Sequence, residues 1–161
     1  MAFMAWSHEL DTGIDIVDSQ HKRIIEYINA LHNAQQSQDK SKAGDVINEL
    51  VDYTVSHFAF EESLMENADY PFLVPHQKVH GLFIKKVSSF VERFKAGEDV
   101  TDELLTMLQK WLVNHIRTED GDYKDAVLTS MKKMKKKRVA GFRVHLRNSS
   151  ANIYCRKHPF N

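Results

Sequence analysis

Apolar residues recur at i, i+3, i+4 and i+7 in four stretches of this chain, and the apolar face of every one of them carries histidine. The first stretch, from about Asp18 to Gln36, aligns His21, Ile24, Ile25, Ile28 and Leu31, with Asp18 or Ser19 as the expected N-cap. The second, from about Lys40 to Glu66, aligns Ile47, Leu50, Tyr53, Thr54, His57, Glu61 and Leu64. The third starts near Pro75, which suits a first helical position, and runs to Ala96 before Gly97, with His76, Val79, His80, Phe83, Ile84, Val87 and Phe90 in line. The fourth, from about Thr101 to Thr118, aligns Leu104, Leu105, Leu108, Trp111, Leu112, His115 and Ile116. Short connections make consecutive helices neighbours. The pattern therefore predicts an all-α fold, an up-down-up-down antiparallel four-helix bundle over residues 18–130.

Residues 1–17 lack helical periodicity and read as an N-terminal arm, in which Trp6 and Ile16 are expected to pack on the bundle. At the other end the charge is lopsided. Ten of the 22 Lys/Arg and none of the 22 Asp/Glu fall in residues 131–161, opening with "MKKMKKKR". The boundary is placed near Ser130, and the basic tail is expected to be a solvated, disordered or accessory segment that could meet an anionic partner. The apolar start, Met1 to Trp6, is too short for a secretory segment, and no window approaches the roughly 18 apolar residues of a membrane span, so a cytoplasmic protein is expected. A single cysteine, Cys155, excludes an internal disulfide framework and reads as an incidental thiol.

One histidine on an apolar face is ordinarily a core residue with a hydrogen-bond partner. Five of them, His21, His57, His76, His80 and His115, would each need a separate partner, whereas a shared metal centre satisfies all at once. His57 with Glu61, and His76 with His80, are i to i+4 pairs that aim two donors at one point. Asp120 lies five residues after His115, about 140° round an ideal α-helix, and is expected to join them only if the helix ends before Gly121. Five imidazoles and two carboxylates exceed what one tetrahedral zinc takes and suit two ions bridged by Glu61 and Asp120. Iron, manganese and zinc all fit this donor set. The remaining histidines, His8, His32, His145 and His158, show no ligand spacing and read as surface residues.

With "DSQH" at 18–21, "HFAFEE" at 57–62, "YPFLVPHQKVH" at 70–80 and "WLVNHIRTED" at 111–120, residues 6–128 resemble the hemerythrin family, and bacterial hemerythrins more closely. The resemblance implies a non-haem di-iron centre that binds dioxygen reversibly, for transport, storage or sensing. In that reading His76, His80 and His115 hold the saturated iron, His21 and His57 hold the open one, and Glu61 and Asp120 bridge, with an oxo or hydroxo group between the irons.

Neutral imidazoles outnumber carboxylates in this set, which is expected to limit oxidation to the level of peroxide. A dry pocket of Phe58, Phe60, Leu104, Leu108, Trp111 and Leu112 is expected to keep water from the bound gas. The alternative is a di-iron enzyme acting on peroxide, nitric oxide or oxygen. No separate acid/base pair or nucleophile accompanies the motif, so an oxygen-binding protein is preferred over an enzyme. A third reading, an interaction protein working through its basic tail, rests on the lysine run alone.

Overall fold

The computed structural model describes residues 2–151, and side chains for residues 2–138. Cys155 and His158 lie outside the described residues. So does the side chain of His145.

Among the described residues five α-helices follow one another: α1 (Asp15–Gln36), α2 (Lys40–Asn67), α3 (Leu73–Lys95), α4 (Thr101–His115) and α5 (Gly121–Ala151). A 3-10 turn, His8–Leu10, precedes them, and a π-helical turn, Ile116–Asp120, joins α4 to α5 without a break. Among the described residues there is no strand. Helix α1 packs against α2 and α4, α2 packs against α3, and the start of α5 returns to α2.

Local chemistry accounts for the boundaries. Asp39 caps α2, its carboxylate accepting the backbone N–H of Lys42 at 3.0 Å. Helix α3 begins two residues before Pro75, which still sits in the first turn, where its missing N–H leaves no bond unmade. Beyond its end, Gly97 takes φ +94°, the left-handed conformation that stops a helix.

The cap of α1 departs from expectation. Helix α1 starts at Asp15, so Asp18 is inside it and cannot be the N-cap. Its carboxylate instead reaches back to the arm. Oδ1 accepts from the N–H of Thr12 at 2.9 Å and from its hydroxyl at 2.7 Å, and Oδ2 accepts from the N–H of Gly13 at 3.2 Å. The arm is further tied down where Met4 exchanges two hydrogen bonds with the side chain of Asn29. Met4, Leu10 and Ile14 are buried and Trp6 packs on the core, but Ile16 is 48% exposed, because α1 begins before it and turns it outward.

The main core contains Ile24, Ile28, Leu50, Phe83, Leu104 and Leu108, the residues that the 3.6-residue pattern aligned. A second cluster, of Ile14, Val17, Met65, Tyr123 and Val127, closes the other end. Buried polar side chains touch both: Phe58 of the main core stacks on His80, and Tyr123 of the second cluster donates to Glu61.

Candidate metal centre

All seven sequence-predicted residues meet in the interior. His21, His57, Glu61, His76, His80, His115 and Asp120 are each at most 4% exposed, and they come from α1, α2, α3, α4 and the π turn. Each of Glu61, His76, His80 and His115 offers one ligand atom within 4.8 Å of those of the others, and His21, His57 and Glu61 form a second such group. Glu61 belongs to both.

The carboxylates are divided between the groups. Oε1 of Glu61 lies 3.6 Å from Nε2 of His21 and 3.5 Å from Nε2 of His57, while Oε2 lies 3.5 Å from Nε2 of His80. Oδ2 of Asp120 lies 3.2 Å from Nε2 of His21, and Oδ1 lies 3.1 Å from Nε2 of His115 and 3.8 Å from that of His76.

Asp120 reaches this place by a route different from the one expected. The helix does not end before Gly121; it loosens into a π turn and continues. In a π turn the hydrogen bond runs from i to i+5, which stacks residue 120 over residue 115 instead of turning it to the side.

The imidazoles are aimed by contacts on their far side. Nδ1 of His57 is 2.8 Å from Oε1 of Gln20, and Nδ1 of His80 is 2.8 Å from Oε1 of Glu62. Both oxygens can only accept, so each Nδ1 carries the proton and each Nε2 presents a lone pair to the centre. Three Nε2 atoms converge: that of His80 is 3.0 Å from that of His76 and 3.2 Å from that of His115. Several buried atoms have no hydrogen bond among the described residues, including Nε2 of His21, Nε2 of His57, Oε2 of Glu61 and both carboxylate oxygens of Asp120. Orphaned donors pointing at a common space are what a bound cation satisfies, and nitrogen and oxygen atoms of these types suit divalent iron.

Electrostatics follow from the same crowding. Burial draws the pKa of His57 down to about 4, with the Glu61 carboxylate opposing. Burial and the neighbouring His80 and His115 draw that of His76 to about 4 as well. His21 goes the other way. Burial opposes its charge, but Asp120 and Glu61 outweigh that and raise it to about 9. Glu61 stays well below the usual carboxylate range despite burial, held there by His57, His21 and His80.

Aromatic and aliphatic side chains wall the centre. The Phe58 ring stacks on His80 at 3.7 Å, and Trp111 stacks on His115 at 4.3 Å and on Phe83 at 3.8 Å. Leu104, Leu108 and Leu112 are buried in the same core cluster as Phe58 and Phe83. Phe60 does not join this wall: it packs with the second cluster around Met65 and Tyr123. Of the histidines expected at the surface, His8 is exposed, but His32 is half-buried against Phe3, with its Nδ1 buried and unpaired.

Sequence reasoning passed over Gln20, Glu62 and Tyr123. The last is fully buried, and its hydroxyl donates to Oε1 of Glu61 at 2.6 Å. Tyr123 stands three residues after Asp120, a spacing that puts both on one helical face, so a local signal existed. Gln20 and Glu62 serve histidines on other helices and leave no such trace.

A family model described as the hemerythrin HHE cation binding domain matches residues 12–127. The chain belongs to the hemerythrin family. Among similar proteins, a bacteriohemerythrin of Pseudomonas paraeruginosa is 54% identical over 141 residues, 88% of this chain and 92% of the relative. A myohemerythrin of Riftia pachyptila is 29% identical, over 74% of this chain and 89% of its own length. A crystal structure of wild-type hemerythrin superposes with a TM-score of 0.75 at 30% identity, covering 78% of this chain and 98% of that one. This hemerythrin-family chain thus has relatives alike over nearly their whole length.

Proposed function

We propose that His21, His57, Glu61, His76, His80, His115 and Asp120 hold two iron ions, and that the centre binds dioxygen reversibly as a carrier, store or sensor in the cytoplasm. One observation carries this reading: Glu61 and Asp120 each turn one oxygen toward the two-histidine group and the other toward the three-histidine group. A single metal would leave half of those oxygens without a partner. The histidines divide three to two, so the His21 and His57 position is one donor poorer and is the place for a small ligand. Held by these residues, a pair of ferrous ions would supply the two electrons that dioxygen takes up, and would regain them on its release.

The chain's own part is to position and to exclude. Gln20 and Glu62 hold His57 and His80 in the tautomer whose Nε2 is free. Leu104, Leu108, Leu112 and Phe58 keep the surroundings apolar, which denies water and protons the access that would drive oxygen off in reduced form. Among the described residues no helix is long and apolar enough to cross a membrane.

The test is an optical spectrum of protein reconstituted with ferrous iron under nitrogen, exposed to air, and returned to nitrogen. The expected result is a visible charge-transfer band that appears with air and fades on its removal. A band that never fades, or steady consumption of oxygen or peroxide without one, would favour the enzyme reading.

A further inference from the structure

The two halves of the centre differ in their inner ligands, three histidines against two, and differ again in what stands behind them. Behind the three-histidine half, Nδ1 of His80 donates to a carboxylate, Glu62, at 2.8 Å; the other oxygen of Glu62 accepts from Nε2 of Gln77 at 3.0 Å, which fixes its orientation. Behind the two-histidine half, Nδ1 of His57 donates to a neutral amide, Gln20, also at 2.8 Å. The third outer contact is equally one-sided. Tyr123 donates to Oε1 of Glu61, the oxygen 3.5 Å from His57, and not to Oε2, the oxygen 3.5 Å from His80. Nδ1 of His21 and Nδ1 of His115 are buried with no partner among the described residues, so they add no counterweight.

All three contacts push the same way. A carboxylate behind an imidazole makes its Nε2 a stronger donor than an amide does. A phenol hydrogen bond withdraws charge from the oxygen it engages, here the one facing His21 and His57. We infer that Glu62 is a positioning residue that, with Gln20 and Tyr123 on the other half, widens the inequality already set by three histidines against two, so that the His76, His80 and His115 position fills first and holds its ion more tightly. This rests on the two-metal reading above. Glu62 touches no metal in this arrangement and acts only through His80.

The measurement is a titration of metal-free protein with cobalt(II), followed by visible absorption and by the number of ions bound, for the native chain and for Glu62→Gln and Gln20→Glu. Both substitutions are nearly isosteric and keep an oxygen that accepts from the ring N–H, so a residue that merely filled space would change nothing. The native protein should bind two ions in two resolved steps. Glu62→Gln should weaken the first step about 10–100-fold and leave the second nearly unchanged, the range expected for loss of an outer-shell partner. Gln20→Glu should strengthen the second step and bring the two together. Equal weakening of both steps by Glu62→Gln, or no change in either variant, would overturn the inference while leaving two bound ions intact. Binding of one ion or none by the native protein would overturn the two-metal reading and this inference with it.

Discussion

Leu108 and Leu112 stand one turn apart on α4, each 3% exposed, on the helical face that also carries His115. Replacing either with Asn puts an amide and the water it attracts into that face. Burying such a group without partners costs on the order of 1–3 kcal/mol, and the drier the pocket was, the more the water will matter. The oxygenated form of Leu108→Asn or Leu112→Asn should therefore autoxidise faster, read as the decay rate of its visible band. Unchanged decay in both would show that dryness is not what protects the bound gas. A different single residue governs the arm. Asp18→Ala removes the acceptor of three hydrogen bonds that hold Thr12 and Gly13, and should destabilise the fold by about 1–3 kcal/mol in a denaturant melt while still allowing two metal ions to bind.

At the scale of an element, the π turn decides whether Asp120 belongs to the site. An α-helix through residue 120 would carry this carboxylate about 140° away from His115, and the i to i+5 turn removes that offset. Inserting one alanine after Thr118 should rotate Asp120 and Tyr123 together by about 100°. Metal content measured by elemental analysis should then fall below two ions per chain, with helical circular dichroism nearly unchanged. The same turn explains why the sequence reading expected the fourth helix to end near Thr118: periodicity assumes 3.6 residues per turn and reads a change of pitch as a stop.

At the scale of the molecule, three buried histidines tie stability to pH. His57 and His76, with folded values of about 4 against an ordinary 6.5, take up protons more readily when unfolded, so their contribution is present above 6.5 and lost as pH falls toward 4. His21, raised to about 9 from the same 6.5, contributes fully below 6.5 and loses that contribution as pH climbs through 9. Melting temperature of the metal-free protein should consequently pass through a maximum near neutrality. A curve that rises steadily in one direction would contradict this balance. The basic segment has a different standing. Helix α5 continues past Ser130 to Ala151, across the expected boundary, yet residues 131–138 are all exposed, and the packed residues Tyr123, Val127 and Leu128 precede them. Cutting the chain after Ser130 should change stability by no more than about 0.5 kcal/mol, measured by thermal melting with metal bound.

By itself the sequence determined the four apolar faces, the core residues they align and six of the seven side chains that meet at the centre. It could do so because helix periodicity is local: a residue's neighbours at i+3 and i+4 state which face it occupies, and His57 with Glu61 or His76 with His80 need no other information. Only the tertiary structure decided how each carboxylate divides its oxygens, that Asp120 arrives by a π turn, that Asp18 holds the arm and does not cap a helix, and that Glu62, Gln20 and Tyr123 stand behind the ligands. Most of those facts join residues on different elements, Gln20 to His57 and Glu61 to Tyr123 among them. Such pairs are set by how helices pack, and no spacing along one chain segment encodes them.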